Sequence, residues 1–229
     1  MPNDPVFLIT GASSGIGEAT ARQASLAGYR LVLAARSADT LEALASELGG
    51  DERALAVPTD VTRWEDNEAL VARSLEVFGR IDIAFANAGF GAERGWLAST
   101  PEHWREMVLT NVLGAAYTAR AAIPALEDSR GHLLLTGSVA GRRVVPGSLY
   151  SATKWAVTAM GEAIRADLNG SGVRTTLIEP GGVDTPFFEN PDEGRLKPED
   201  IARAVLWAIS QPSHVDVNEI LIRPISQAL

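Results

Sequence analysis

Cysteine is absent from the 229-residue chain, and histidine occurs only three times. A disulfide framework, a thiolate metal site and a cysteine nucleophile are therefore excluded. The three histidines, His103, His132 and His214, form neither an HExxH nor an HxxH-like pattern, so no metal-hydrolase motif is present. GxSxG is missing too, since Ser138 lies in TGSVAG. Basic charge is in deficit, with 20 Lys and Arg against 29 Asp and Glu, a formal net charge of −9 and a pI near 4.9. A field of that sign argues against nucleic acid and anionic membrane as partners, while leaving room for a local basic pocket. Long apolar runs are lacking as well: none approaches the ~20 residues that cross a bilayer. The opening MPNDPVFLITG enters an apolar strand without the basic region of a signal peptide. These absences predict a cytoplasmic protein.

What the chain does have is alternation. Short β-rich runs occur at VFLIT (6–10), RLVLAA (30–35), ALAVPTD (54–60), IDIAFAN (81–87), HLLLTGS (132–138), VRTTLIEP (173–180) and NEILI (218–222). Between them lie stretches with helical spacing, such as SADTLEALASEL and DNEALVARSLEVF. Continuous apolar strands alternating with helices predict an α/β fold, a doubly wound, seven-stranded, mainly parallel sheet with helices on both faces. With 46% hydrophobic and 21% charged residues and no internal repeat or linker, the reading is one domain over residues 1–229. The least regular piece, 185–198, carries three prolines and mixed charge. Loops of that length are commonly functional, and a mobile substrate loop is expected there.

The first strand runs into TGASSGIG, which places Gly11, Gly15 and Gly17 between a strand and a helix. Glycine permits the tight turn and close approach of the backbone, and a helix start supplies free N–H groups and a positive dipole end. That is the context of a phosphate-binding turn, and it makes the fold Rossmann-type. The spacing is GxxxGxG rather than the commoner GxGxxG. About 20 residues on, where an acidic side chain would bind a ribose 2′-hydroxyl, Ala35 stands instead and Arg36 follows. An arginine there is suited to a forked pair with a 2′-phosphate, with Ser37 beside it. TDV (59–61) and NAG (87–89) each end a strand, at the edge where open parallel sheets bind ligands.

Tyr150 and Lys154 are one helical turn apart in YSATK and so share a face. Such a pair is either packing or chemistry. A free phenol titrates near ~10, too high for a general base at neutral pH, and a neighbouring ammonium favours the phenolate.

In order along the chain, TGASSGIG, NAG, Asn111 in LTNVLG, Ser138, YSATK and EPGGVDTPF resemble the motifs of the short-chain dehydrogenases/reductases. The ending HVDVNEILIRPISQ is similar to the branch with NADP-dependent 3-hydroxy acid (serine-type) dehydrogenases and clavulanate dehydrogenase. The resemblance implies a cofactor half near 1–130 and a catalytic and substrate half near 131–229. It implies NADP(H) as cofactor and interconversion of a secondary alcohol with a ketone or aldehyde. It assigns Tyr150 as acid/base, Lys154 as the residue that lowers the phenol pKa and holds the nicotinamide ribose, and Ser138 as the hydrogen-bond partner of the substrate oxygen. Asn111 would help hold a water that links Lys154 to solvent. Ser13, Ser14 and Ile16 would face the pyrophosphate and adenosine, and Asp60 and Val61 would bracket the adenine. Asn87, Ala88 and Gly89 would pass the ribose, while Pro180, Gly181, Val183 and Thr185 would meet the carboxamide. A nucleotide-binding scaffold without catalysis is disfavoured because the full Ser/Asn/Tyr/Lys set is present. A homotetramer is implied, with a dimer second. Arg142 and Arg143, close behind Ser138, stand either as receivers of a substrate carboxylate or as a solvated loop pair.

Overall fold

Phe7 and Ile9 point to one side of the first strand and Val6 and Leu8 to the other, and all four are fully buried. Alternate strand residues face opposite ways, so an unbroken apolar run demands cover on both faces. A computed structural model, which describes residues 4–91, 95–144, 148–187 and 194–227, has that arrangement. The elements are β1 (Val6–Thr10), α1 (Gly15–Leu26), β2 (Arg30–Ala35), α2 (Ala38–Glu47), β3 (Ala54–Pro58), α3 (Trp64–Phe78) and β4 (Ile83–Ala86). They continue with α4 (Pro101–Val108), α5 (Ala115–Ser129), β5 (His132–Thr136), α6 (Tyr150–Asp167), β6 (Arg174–Pro180), α7 (Pro198–Ile209) and β7 (Glu219–Ile222). The sheet order is β3-β2-β1-β4-β5-β6-β7, and every pairing is parallel rather than mainly so.

One apolar layer sets Leu41 and Leu44 of α2 and Ile201 and Val205 of α7 against Phe7, Leu31 and Phe85. The other sets Leu70 of α3, Ala119 and Ala122 of α5 and Val157 of α6 against Leu8, Val32 and Leu133. Chain order reverses between β1 and β4, and at such a switch point the carboxyl ends of the strands part into a crevice.

Several strands end earlier than their apolar runs because their backbone donors turn to other partners. The Asn87 N–H donates to Thr10 Oγ1, which ends β4. The Gly137 N–H turns back to Leu135 O, which ends β5, and the Asp60 N–H goes to the Asp66 carboxylate beyond β3. Between α4 and α5, Leu109–Gly114 winds as a π-helical stretch, a local form frequent at functional sites, and it carries Asn111. The expected mobile loop at 185–198 has firm feet. Val183 bridges Leu196, Asp184 N–H donates to Leu196 O, and Lys197 pairs with Asp184 at 2.8 Å. Residues 188–193 lie outside the described residues.

His132 in β5 is fully buried, with Nε2 2.7 Å from Thr176 Oγ1. Burial, helped by the charge of Arg174, lowers its pKa to about 3. The unfolded chain takes up this proton near the ordinary imidazole value while the native chain does not, so stability falls as pH drops below ~6.5. One proton is worth about 2 kcal/mol between pH 6.5 and 5. Urea unfolding across that window should show this slope, and His132→Gln should flatten it.

Candidate active site

The three glycines after β1 serve different needs. Gly11 and Gly15 have φ of +66° and +55°, a region that favours glycine. A Cβ on Gly11 would stand 2.9 Å from Ala88 Cα, and one on Gly15 would stand 3.1 Å from Thr185 Cγ2. Gly17 is buried one layer back, where a Cβ would come within 2.2 Å of Gly11 O. It lets α1 pack on the turn and does not line the cleft. Ser14 precedes α1 in an extended conformation and makes no side-chain capping bond. The first-turn N–H groups are thus left for an outside acceptor, which is the condition for binding a phosphate.

Asn87 ties three strand ends together. Its Nδ2 donates to Thr10 O and its Oδ1 accepts from Thr136 Oγ1, both at 3.0 Å. Its side chain is therefore committed to the sheet, and the backbone running on to Ala88 and Gly89 forms the cleft wall. The Asp60 carboxylate accepts from Thr62 N–H at 3.0 Å and from Thr62 Oγ1 at 2.8 Å, which holds the turn after β3. Arg36 and Ser37 are exposed at the end of β2, beside buried Ala35.

Ser138 leads a short 3-10 turn, Val139–Gly141, and its Oγ accepts from Ala140 N–H at 3.1 Å. Tyr150 opens α6, and Lys154, only 4% exposed, follows one turn later. Lys154 Nζ donates to Thr136 O at 2.8 Å and lies 5.8 Å from the Tyr150 ring centroid. Asn111 is buried behind them. Its Oδ1 accepts from Phe90 N–H at 3.0 Å, and its Nδ2 donates to Phe90 O at 2.9 Å and to Thr153 Oγ1 at 3.2 Å. It braces the Gly89–Phe90 backbone and the first turn of α6 without lining the cleft.

The expected lowering of the phenol by the ammonium is not what the structure shows. The protein packed round Tyr150 pushes the phenol up to about 12, opposed by the hydrogen bond with Ser138. Burial also brings the Lys154 ammonium down to about 8. Desolvation disfavours both charged forms, and Nζ is turned to a carbonyl rather than to the phenol oxygen.

These groups surround one cleft of about 800 Å³ at the carboxyl ends of the strands. Every expected site residue other than Gly17 and Asn111 lines it. Phe187 and Arg195, from the expected substrate loop, line it too, and so do Ser226 and Gln227, which the motifs do not single out. Gln227 Oε1 accepts from Gly182 N–H at 2.9 Å, so the chain's last described residue braces the turn after β6. Arg142 does not line the cleft. Its Nε donates to Glu179 Oε2 at 2.9 Å, its Nη2 pairs with Glu219, and the fully buried Glu179 carboxylate also accepts from Thr158 Oγ1. Arg143 is exposed and also lies off the cleft. Arg142 is thus committed to two glutamates rather than to the cleft. Trp96 packs edge-on against Trp104 at 5.0 Å and stays outside the cleft lining. Among the described residues no cluster of His, Asp and Glu is arranged to hold a metal, and no helix is long and apolar enough to cross a membrane.

The sequence model of the short chain dehydrogenases matches residues 5–195. The chain belongs to the short-chain dehydrogenase family. An uncharacterized oxidoreductase of Staphylococcus haemolyticus is 42% identical over 228 residues, covering 97% of this chain and 98% of that protein. The alcohol dehydrogenase of the archaeon Thermococcus sibiricus, solved with 5-hydroxy-NADP, superposes with a TM-score of 0.92 at 36% identity, covering 99% of both chains. The closed form of a serine dehydrogenase with NADP+ gives 0.89 at 31% identity, over 98% of this chain and 96% of that one. Solved relatives hold NADP or NAD. As a family member the chain is an oxidoreductase of alcohols and carbonyl compounds. The tyrosine, lysine and serine read from the sequence converge within its cleft.

Proposed function

We propose that the protein interconverts a secondary alcohol and a ketone or aldehyde with NADP(H), using Tyr150 as acid/base. The observation that carries this reading is the convergence of Tyr150, Ser138 and Lys154 on a cleft whose other end is an uncapped helix start. The residues fit a dinucleotide. Phosphate would meet the free N–H groups of α1, and the adenosine would lie between Arg36 and Ser37 on one side and Asp60 and Val61 on the other. The carboxamide end would face Pro180, Gly181, Val183 and Thr185, with the backbone at Asn87, Ala88 and Gly89 along the ribose. When bound, the nicotinamide gives or takes the hydride. The protein handles the proton. In reduction the Tyr150 hydroxyl delivers it to the substrate oxygen while Ser138 Oγ–H holds that oxygen by a hydrogen bond. In oxidation the Tyr150 phenolate oxygen would take the proton back, and the Lys154 ammonium would favour that phenolate against the burial that raises the phenol and would hold the ribose hydroxyls. Asn111 is a positioning residue in this scheme, supporting the backbone beside Lys154 and a water that links Nζ to solvent. The substrate is a 3-hydroxy acid or one of a broad range of carbonyl compounds. An assay of nicotinamide oxidation over such a panel tests the reading, and an enzyme that binds NADPH yet reduces none of them would refute it.

The choice of NADP(H) rests on Arg36, which lines the cleft beside an Ala35 that offers no carboxylate to a 2′-hydroxyl. Loss of a charged hydrogen-bonded pair costs ~1.5–3 kcal/mol, or roughly tenfold or more in affinity. Arg36→Ala should weaken NADPH by that factor with little effect on NADH, and adding Ala35→Asp should reverse the preference. Fluorescence titration with both nucleotides is the measurement, and equal affinities in the wild type would refute the assignment.

We also propose a cytoplasmic, single-domain protein assembled as a homotetramer. Support for the assembly comes from apolar side chains left outward on and beside the long helices, with Trp155 on α6 44% exposed and Leu113 37% exposed. Light scattering at micromolar concentration checks it, a monomer being the refuting result.

A further inference from the structure

We infer that Phe187 is the specificity-determining wall of the substrate pocket, and that it restricts the substrate carbonyl to one compact substituent on that side. This inference rests on the carbonyl chemistry proposed above. The Phe187 ring meets the Tyr150 ring edge-on, with centroids 5.5 Å apart and planes at 67°. Its position depends on a missing side chain: a Cβ on Gly91 would stand 2.4, 2.8 and 3.0 Å from three of the ring carbons. The ring thus occupies the hollow over Gly91, and Phe187, 41% exposed as a residue, borders the cleft.

Both supports of the ring are held in place. Phe187 N–H donates to Thr185 Oγ1 at 3.3 Å, and Thr185 packs on the phosphate turn at Gly15. On the other side, Gly91 O lies 3.0 Å from His103 Nε2, and the His103 ring packs edge-on against Phe90 at 5.3 Å. The aromatic wall therefore has a set distance from the acid/base. A substrate oxygen must come within hydrogen-bond reach of Tyr150 Oη and Ser138 Oγ. The substituent that then passes the edge of Tyr150 meets Phe187. A hydrogen or methyl fits beside that ring, whereas a branched or aryl group collides with it.

The test uses two ketones that share their larger substituent and differ only in the smaller one, methyl against isopropyl, on whichever carbonyl scaffold the wild-type enzyme reduces. A single methylene in an apolar pocket changes discrimination by about 10- to 200-fold. Phe187→Ala should move the kcat/KM ratio at least about tenfold toward the isopropyl ketone, with NADPH affinity within about twofold of wild type. Gly91→Ala places a methyl under the ring and should shift selectivity through displacement of Phe187. Its effect should therefore largely vanish in the Phe187→Ala background, because the two residues share one contact. An unchanged ratio in a Phe187→Ala enzyme that still binds NADPH and still reduces ketones overturns the wall but leaves the acid/base reading standing. A wild-type enzyme that binds NADPH and reduces no carbonyl compound overturns both.

Discussion

Tyr150→Phe is expected to lower turnover by ~100- to 10,000-fold while the protein still folds and binds nucleotide. The substitution removes one oxygen and keeps the ring. The edge-on contact with Phe187 at 5.5 Å needs only that ring, as does the packing that opens α6. The missing atom is the one that exchanges a proton with the substrate oxygen. Ser138 can still donate a hydrogen bond to that oxygen, and water remains a poor proton source, which sets a floor to the loss. The loss should fall on kcat, with NADPH affinity within about twofold, because catalysis here depends on an interaction made at the reacting oxygen. Single-turnover reduction of a ketone alongside a fluorescence titration separates the two. Near wild-type turnover would remove Tyr150 from the mechanism.

Local chemistry explains why so much of this site was legible in the chain. Parallel strands buried on both faces must be apolar throughout, so β1 and β2 were readable to their ends. Tyr150 and Lys154 share a face because a helix turns every 3.6 residues. Gly11 and Gly15 sit where the backbone takes positive φ, and Gly17 where Gly11 O leaves no room for a Cβ. What could not be read depends on distant partners. Arg142 looks available to substrate until β6 and β7 bring Glu179 and Glu219 to it. Gln227 braces Gly182 and Phe187 fills the hollow over Gly91, and both pairings join positions far apart in sequence. The direction of the Tyr150 pKa is hidden from the sequence for a similar reason. An i,i+4 ammonium is visible in sequence, whereas the amount of protein packed round the phenol is set by the fold.

That packing has a consequence at Lys154. Lys154→Met is expected to remove most turnover and yet to stabilise the protein at neutral pH. The wild-type side chain is 4% exposed, and burial brings its pKa from 10.5 down to about 8. Below pH 8 the native and unfolded chains both hold the proton, and the native state bears the full desolvation cost, ~3 kcal/mol for a shift of that size. Methionine has a similar reach and no charge. It forfeits the charged bond to Thr136 O, worth ~1.5–3 kcal/mol, so a net gain of about 1 kcal/mol is expected. Between pH 8 and 10.5 native Lys154 sheds its proton while the unfolded chain keeps its own, so wild-type stability rises and the difference narrows. Above pH 10 the raised Tyr150 pKa acts the other way, since the unfolded phenol ionises first and stability falls. Urea unfolding of both proteins at pH 7 and pH 9.5 therefore isolates the lysine. A variant less stable than wild type at pH 7, or a difference that does not change with pH, would mean that the buried ammonium is fully compensated by its surroundings. A more stable, inactive Lys154→Met protein with weakened NADPH binding is the expected outcome, because the charge that strains the fold is the same charge that the phenolate and the ribose require.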